Sequence, residues 1–201
     1  MNQEEKIMAQ VMSAISMSLD GYVTGPNDSR EHPLGEGGER LHRWLDPRHH
    51  TPDDVAVLGE MVAGVGAIVM GRRSYDFCEG EGGWGEGGPA GDVPCFVVTH
   101  RPPPAHASDV FTFVHDGVPA AIERAKAVAG EQVVGLHGAT TVQQALAAGL
   151  VEEVQVHLVP VLLGSGVRLF DDIGGKAIEL ETLRVITTPH ATHLRYRVVH
   201  G

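Results

Sequence analysis

Along the first two-thirds of the chain, short apolar runs alternate with longer segments that carry apolar residues at helical spacing. The first run, Val11–Ser18, predicts a buried strand that ends at the turn formed by Asp20 and Gly21. Similar runs predict further strands at residues 66–71, 94–99, 110–114 and 132–136. Their lack of polar alternation is typical of parallel strands that are covered by helices on both faces.

The segments between these runs carry the start and stop signals of helices. Thr51 is a capping residue ahead of Pro52, Asp53 and Asp54 favour the positive end of the helix dipole, and Gly64 ends the segment. Further helices are predicted at residues 39–45, 119–129 and 140–148.

After residue 150 the pattern becomes strand-like without intervening helices, at residues 154–163, 179–187 and 193–199. Alternating strands and helices followed by consecutive strands predict an α/β fold in three layers, α/β/α. Its sheet is expected to be mixed and mostly parallel, with antiparallel C-terminal strands.

Three segments fall outside this pattern. Residues 24–38 form a long polar loop, which is typical of a lid, a binding loop or disorder. In residues 78–91, seven of fourteen residues are glycine, which predicts a mobile excursion. The polar residues 1–10 predict a frayed lead-in to a single domain that spans residues 1–201.

Composition excludes several classes of function. With 15 Lys and Arg against 26 Asp and Glu, the net charge of −11 argues against a partner that is a nucleic acid or an anionic membrane. No apolar run approaches the ~18 residues of a transmembrane helix. Cys78 and Cys95 form no CxxC pair, and twelve histidines include no HExxH motif, so no metal site is predicted. This cysteine usage favours a cytoplasmic location.

Three predicted strands end in groups that bind anions. They run into the sequences GRRS at 71–74, THR at 99–101 and HGAT at 137–140, the last of which opens a helix. In open α/β sheets, ligands bind at the carboxyl ends of the strands. Guanidinium groups and free N–H groups at a helix N-terminus suit phosphate. The repetition predicts a site for a polyanion such as a dinucleotide, although the arginines alone would also be explained by pairing with surface carboxylates.

Four motifs in this order resemble the dihydrofolate reductase-like family that includes the C-terminal reductase domain of the bifunctional riboflavin-biosynthesis enzyme RibD. They are MSLDGY at 17–22, VMGRRSY at 69–75, VVTHRP at 97–102 and the segment 138–170. The resemblance covers roughly residues 11–199. It implies a dihydrofolate reductase-like fold, NADPH as cofactor, reductase activity and a homodimer.

The resemblance also implies which residues hold NADPH. Segments 71–74 and 137–140 would contact the pyrophosphate, and segment 71–74 would also contact the 2′-phosphate. Segment 99–101 would hold the adenosine side. Either Arg101 or Arg72 would select NADPH over NADH. The implied cofactor-binding residues are Ser16, Val23, Gly71, Arg72, Arg73, Ser74, Thr99, His100, Arg101, His137, Gly138, Ala139 and Thr140. The family commonly has two adjacent glycines at 137–138, so His137 would either crowd the pyrophosphate or donate to it.

For the reaction itself, Asp20, Glu39 and Asp46 are the candidate catalytic carboxylates. Trp44 would either stack on a flat heteroaromatic substrate or belong to the core. The expected activity is hydride transfer from NADPH to a small heterocyclic substrate, pterin-like or pyrimidine-like, or to another carbonyl or imine. Two alternatives remain, namely a dinucleotide-binding protein without turnover and a specialised reductase with a different proton donor.

Overall fold

The fold is built on a sheet of eight strands. The computed structural model describes residues 9–79, 83–85, 87–105 and 107–200. Its strands are β1 (Val11–Ser18), β2 (Tyr22–Thr24), β3 (Val65–Gly71), β4 (Cys95–Val98), β5 (Phe111–Val114), β6 (Val133–His137), β7 (Glu153–Val159), β8 (Val167–Arg168), β9 (Leu180–Thr187) and β10 (Thr192–Val198). The main sheet has the order β5-β4-β3-β6-β1-β7-β10-β9, and β2 pairs with β8 separately.

The helices connect and cover these strands. They are a 3-10 helix (Gly38–Leu45), α1 (Pro52–Gly64), α2 (Arg72–Cys78), α3 (Gly117–Ala129) and α4 (Ala139–Ala147). The predicted strands and helices are confirmed with small shifts at their ends. The pattern did not predict α2, β2 and β8, which are too short for a period to show.

The sheet is mixed, as predicted. In the order of the sheet, strands β5, β4, β3, β6, β1 and β7 run parallel to one another. Strand β10 runs antiparallel to both β7 and β9. Most of the predicted lead-in, residues 1–8, lies outside the described residues. Its last part is ordered, because Ala9 is buried and the carbonyl of Gln10 accepts a hydrogen bond from the Val134 N–H.

Helices cover both faces of the sheet. On one face, α3 and α4 pack through Ile122 and Val142 against strand residues such as Leu136. On the other face, α2 packs through Tyr75, and the 3-10 helix and α1 bury Trp44 and Val57. The three-layer prediction is therefore confirmed.

The chain reverses its winding between β3 and β6. These strands are neighbours, yet α2 follows β3 on one face and α4 follows β6 on the other. Such a switch point leaves a crevice at the carboxyl ends of the two strands, where α/β proteins bind their ligands.

The long loop at residues 24–38 is folded rather than disordered. The Gly25 N–H donates to the Leu34 carbonyl at 2.8 Å, and the Glu36 N–H donates to the Pro26 carbonyl at 2.9 Å. The loop begins where β2 meets the turn before β8, and this contact is tight. A Cβ at Gly166, whose φ is +135°, would lie 1.9 Å from the Thr24 carbonyl oxygen.

Replacing Gly166 with alanine should therefore destabilise the protein. We expect Gly166→Ala to lower the free energy of unfolding by more than about 1 kcal/mol, because the new Cβ meets backbone and the φ disfavours L-residues. Gly59→Ala is the matched control, since a Cβ at Gly59 in α1 meets nothing within 4 Å. That change should stabilise by about 0.5–1 kcal/mol. Urea denaturation of both variants checks this, and equal effects would contradict it.

Candidate functional site

Gly138 opens a cradle at the switch point. It caps the N-terminus of α4 with φ +88°, and a Cβ there would lie 2.8 Å from Ser74 Oγ. The first hydrogen bond of this helix runs from the Val142 N–H to the Gly138 carbonyl, at 3.2 Å. The N–H groups before Val142 therefore have no partner within the helix. Together with the positive end of the helix dipole, they form a site suited to a phosphate.

The ends of β3 and β4 add two arginines, which are joined by a carboxylate. Asp76 accepts from Arg72 Nε at 2.6 Å and from Arg101, and Arg72 also donates to the Pro102 carbonyl at 3.0 Å. The Arg101 side chain is 60% exposed, whereas that of Arg72 is 15% exposed. Because Asp76 already pairs with both guanidinium groups, a bound phosphate would compete with it, mainly at Arg101.

Arg73 turns away from these two arginines. Its NH2 donates to the Asp28 carboxylate at 2.7 Å, and its guanidinium lies 4.6 Å from the centre of the Phe77 ring. Arg73 therefore fastens the loop at 24–38 to α2. His100 is exposed, and Val23 lies half-buried in β2. Of the cofactor residues implied by the resemblance, the structure brings segments 71–72, 74, 99, 101 and 138–140 to neighbouring strand ends.

The Asp20 carboxylate connects two turns of the chain through hydrogen bonds. Its Oδ1 accepts from Ser18 Oγ at 2.6 Å and from the Leu163 N–H at 3.1 Å, and its Oδ2 accepts from the Gly164 N–H at 2.7 Å. These hydrogen bonds, that from Ser18 first, lower the pKa of Asp20 to about 2. The carboxylate is ionised at neutral pH and its oxygens are engaged, so the geometry does not support it as a catalytic proton donor.

Asp46 and Glu39 are no better placed. Arg48 binds Asp46 through its side chain and backbone, which holds the pKa of Asp46 well below its usual range. Glu39 is exposed and pairs with its neighbour Arg40 at 3.2 Å. Each of the three predicted carboxylates is thus engaged in another contact, and their catalytic role stays a prediction.

Trp44 belongs to the core, the second of its two predicted roles. It is 2% exposed, and its Nε1 donates to Ser16 Oγ at 2.9 Å. Its ring lies 4.3 Å, centre to centre, from the ring of His157. Stacking on a substrate is thus contradicted in this conformation. The Ser16 hydroxyl, one of the implied cofactor contacts, accepts this hydrogen bond from Trp44.

A buried chain of hydrogen bonds runs beside Trp44 on the same face. His193 Nε2 lies 2.9 Å from Asp54 Oδ1, and His193 Nδ1 lies 2.7 Å from His157 Nδ1. Asp54, His193 and His157 are 1%, 3% and 1% exposed. Burial raises the pKa of Asp54, but its hydrogen bonds from Thr51 and His193 outweigh burial and hold it below the ordinary value.

The sequence analysis missed this chain for identifiable reasons. Asp54 has the signature of a helix-capping residue, and it does form a capping box with Thr51. His193 lies in a predicted strand, and no motif in the sequence marks it as a member of a site. Only the packing of α1 and the 3-10 helix over this part of the sheet reveals that the three residues meet.

His137 is placed where the family commonly has a glycine. It ends β6 beside Met70 of β3, its Nδ1 is buried without a partner, and its ring meets the edge of Trp84 at 5.4 Å. Burial, and secondarily the charge of His42, lowers the pKa of His137 to about 4. The ring is therefore neutral at neutral pH. Residues 80–82 and 86 of the predicted mobile excursion lie outside the described residues, while Trp84 within it also stacks on Phe111.

Two other kinds of site were sought. Among the described residues, no group of three or more His, Cys, Asp or Glu side chains is arranged to hold a metal ion. None of the helices in the described ranges is long and apolar enough to cross a membrane.

Comparison with known proteins identifies similar chains. The family model of the RibD C-terminal domain matches residues 9–194. The uncharacterized protein YwjB of Bacillus subtilis (strain 168) is 24% identical over 159 residues, which are 79% of this chain and 81% of that protein.

Two solved structures share the fold. A candidate riboflavin biosynthesis protein from Shewanella sp. PV-4 matches with a TM-score of 0.71 and 22% identity, over 95% of this chain and 99% of that one. Dihydrofolate reductase from Enterococcus faecalis, solved in complex with NADP(H), matches with a TM-score of 0.58 and 11% identity, over 95% and 98%. The predicted dihydrofolate reductase-like fold is confirmed.

The buried histidines should make stability depend on pH. Unfolded histidine takes up a proton near pH 6.5, whereas the pKa of folded His137 is about 4 and that of His157 about 3. The unfolded state then binds more protons, so the free energy of unfolding should fall as the pH is lowered below about 6.5. Urea denaturation between about pH 7 and pH 5 measures this fall.

Two variants assign the effect. His137→Gln should reduce the slope of stability against pH, because it removes a group that only the unfolded state protonates. His200→Gln, at an exposed position, should leave the slope unchanged. An unchanged slope in His137→Gln would show that the ring does not resist protonation in the folded protein.

Proposed function

Because the chain belongs to the RibD C-terminal domain family, we propose that it is an NADPH-dependent reductase that transfers a hydride to a small molecule. The observation that carries the proposal is the cradle at the switch point. Gly138 leaves open the space beside Ser74 that any side chain would fill, and the N-terminus of α4 faces it. This is the chemistry that a dinucleotide pyrophosphate requires.

The residues of the cleft fit NADPH part by part. The backbone at 138–140 and Ser74 would hold the pyrophosphate, and Arg101, with Arg72 behind it, would pair with the 2′-phosphate. Ser16 and Val23 would flank the nicotinamide. When bound, NADPH supplies a hydride, while the protein contributes orientation and the exclusion of water.

The proposed substrate is a small heterocycle, pterin-like or pyrimidine-like, with a C=N or C=O group to be reduced. The similar proteins support this class, because one of them is a dihydrofolate reductase and the substrate in its name contains a pterin ring. The face of the sheet that carries Ser16, His137 and His157 offers hydroxyl and imidazole groups for such a ring.

A second candidate is a protein that binds NADPH without reducing a substrate. Asp20, Glu39 and Asp46 are all held in other contacts, and this observation favours the second candidate. Steady oxidation of NADPH, followed by the loss of its absorbance in the presence of a pterin or pyrimidine substrate, distinguishes the two. The cytoplasmic location stays a prediction.

Cofactor preference gives a direct test of the phosphate site. NADPH at about 100 times its Kd should stabilise the protein by roughly 2.7 kcal/mol and raise its melting temperature, with a smaller rise for NADH. Arg101→Ala should weaken NADPH far more than NADH, because only NADPH carries the 2′-phosphate. Thermal unfolding with each cofactor measures both effects.

Arg197→Ala is the matched control for this test. Arg197 carries the same charge at the opposite end of the sheet, where it pairs with Glu181. It should leave both cofactors unaffected. No stabilisation by either cofactor, or equal losses for NADPH and NADH in Arg101→Ala, would contradict the proposed site.

We also propose a homodimer. Edge strand β9 exposes Leu180, Leu183 and Val185, and Val199 beyond β10 is exposed as well. Light scattering should give twice the 21.4 kDa of one chain. Val185→Glu should lower that mass by placing a charge in the apolar surface, whereas a monomeric mass for the unaltered protein would refute the dimer.

A further inference from the structure

The buried chain Asp54–His193–His157 ends in a nitrogen without a partner. Each imidazole uses one nitrogen to bond the other, and the second nitrogen of His193 bonds Asp54. The second nitrogen of His157, Nε2, is buried and makes no hydrogen bond with any of the described residues. Leaving such a group unsatisfied costs about 1–3 kcal/mol, so an unoccupied Nε2 needs an explanation beyond stability.

The position of His157 in the sheet points to a ligand. His157 lies opposite Ser16 in β1 and opposite His193 in β10, within the last residues of β7. This is the carboxyl edge of the parallel strands, where the switch-point cleft also opens. The Trp44 ring covers the imidazole on one side.

For a given charge state of His193, the hydrogen bonds fix which nitrogen of each ring carries a proton. The Asp54 carboxylate can only accept, so His193 Nε2 must donate to it. If His193 is neutral, its Nδ1 is then a bare acceptor, and His157 must donate to it from Nδ1. In this state His157 Nε2 is a bare acceptor as well.

One additional proton reverses the direction of the chain. If His193 carries protons on both nitrogens, its Nδ1 donates to His157 Nδ1, and His157 bears its only proton on Nε2. The positive charge then lies on His193, directly beside the Asp54 carboxylate. His157 stays neutral in both states, which agrees with its pKa, lowered to about 3 by burial first and then by the charges of His193 and His42.

We propose that His157 Nε2 delivers the proton that accompanies hydride transfer, with His193 and Asp54 as positioning residues that store and replace it. This inference rests on the proposed reductase function and names the proton donor that the three predicted carboxylates do not supply.

The step balances in atoms and charge. The substrate carbon receives a hydride from NADPH, and its nitrogen or oxygen receives the proton from His157 Nε2. As that N–H bond breaks, the proton on His193 Nδ1 passes to His157 Nδ1. His193 keeps the proton on Nε2 that it donates to Asp54, so the chain ends neutral apart from the carboxylate, and NADP⁺ is formed. One proton from solvent recharges it.

The titratable groups that face His157 come from three elements. They are His193 on β10, Asp54 on α1 and His42 on the 3-10 helix. Only Asp54 is an anion, and its contact is with His193 rather than with His157. The carboxylate therefore determines how strongly the chain holds its additional proton, and His157 determines where that proton leaves.

Nitrogen NMR of the protein with isotope-labelled histidine tests the chain without a substrate. Between about pH 8 and pH 5, uptake of one proton by the chain should move the His157 proton from Nδ1 to Nε2 while this ring stays neutral. A structural histidine pair would keep its tautomers. A His157 that holds the same tautomer over this range overturns the proposal.

Asp54→Asn should shift this uptake to lower pH by about 1–3 units, because the positive charge on His193 loses its counter-charge. Asp53→Asn is the matched control, since Asp53 is an exposed neighbour with the same charge. The tautomer change in the unaltered protein remains decisive if Asp54→Asn does not fold. Equal titrations of the two variants would contradict the role of Asp54.

NADP⁺ then serves as the probe for position. It should shift the His157 Nε2 resonance and leave that of His200 in place. If thermal unfolding shows that NADP⁺ binds but the His157 resonance does not move, the proposed proton donor is wrong while the reductase proposal stands. If the tautomer change occurs but NADP⁺ does not bind, the proposed function fails and the proton chain is only a property of the apo protein.

Discussion

The placement of β6 between β3 and β1 is the constraint on which the site depends. It puts the helices that follow β3 and β6 on opposite faces of the sheet, which leaves a crevice between the carboxyl ends of the two strands. Gly138 and Ser74 meet at this gap, and the first turn of α4 opens towards it. The proposed phosphate site would thus be a consequence of topology, to which the sequence adds one glycine and the arginines.

The carboxylates of this acidic chain contribute to the site as much as its arginines do. Arg72 and Arg101 share Asp76, and Arg73 is held by Asp28. These pairs keep the guanidinium groups ordered, but each carboxylate also competes with a phosphate ligand. In a protein with a net charge of −11, the proposed binding of an anion would therefore depend on local geometry and not on the overall field.

Burial affects the charge of carboxylates and imidazoles differently on the face covered by α1 and the 3-10 helix. Asp54 is stabilised as an anion by four hydrogen-bond contacts, whereas burial, which disfavours the charged imidazole, keeps His137 and His157 neutral. Removing charge from a buried imidazole while keeping one nitrogen free produces a group that can exchange a proton. The half-buried Asp46 and the exposed Glu39 lack that environment, because each is paired with a neighbouring arginine.

The sequence by itself determined the layers of this protein and the strand ends of its site. Apolar periodicity and capping residues are local properties, and they correctly predicted the long strands and the long helices, while the resemblance of four motifs predicted the family to which the chain belongs. The tertiary structure decided which polar residues meet. Asp76 pairs with Arg101 across 25 positions, and Asp54 meets His193 across 139, distances at which no local pattern carries information. Whether a histidine is solvated or buried depends on which helix covers it. That is set only when the sheet and its two helical layers close.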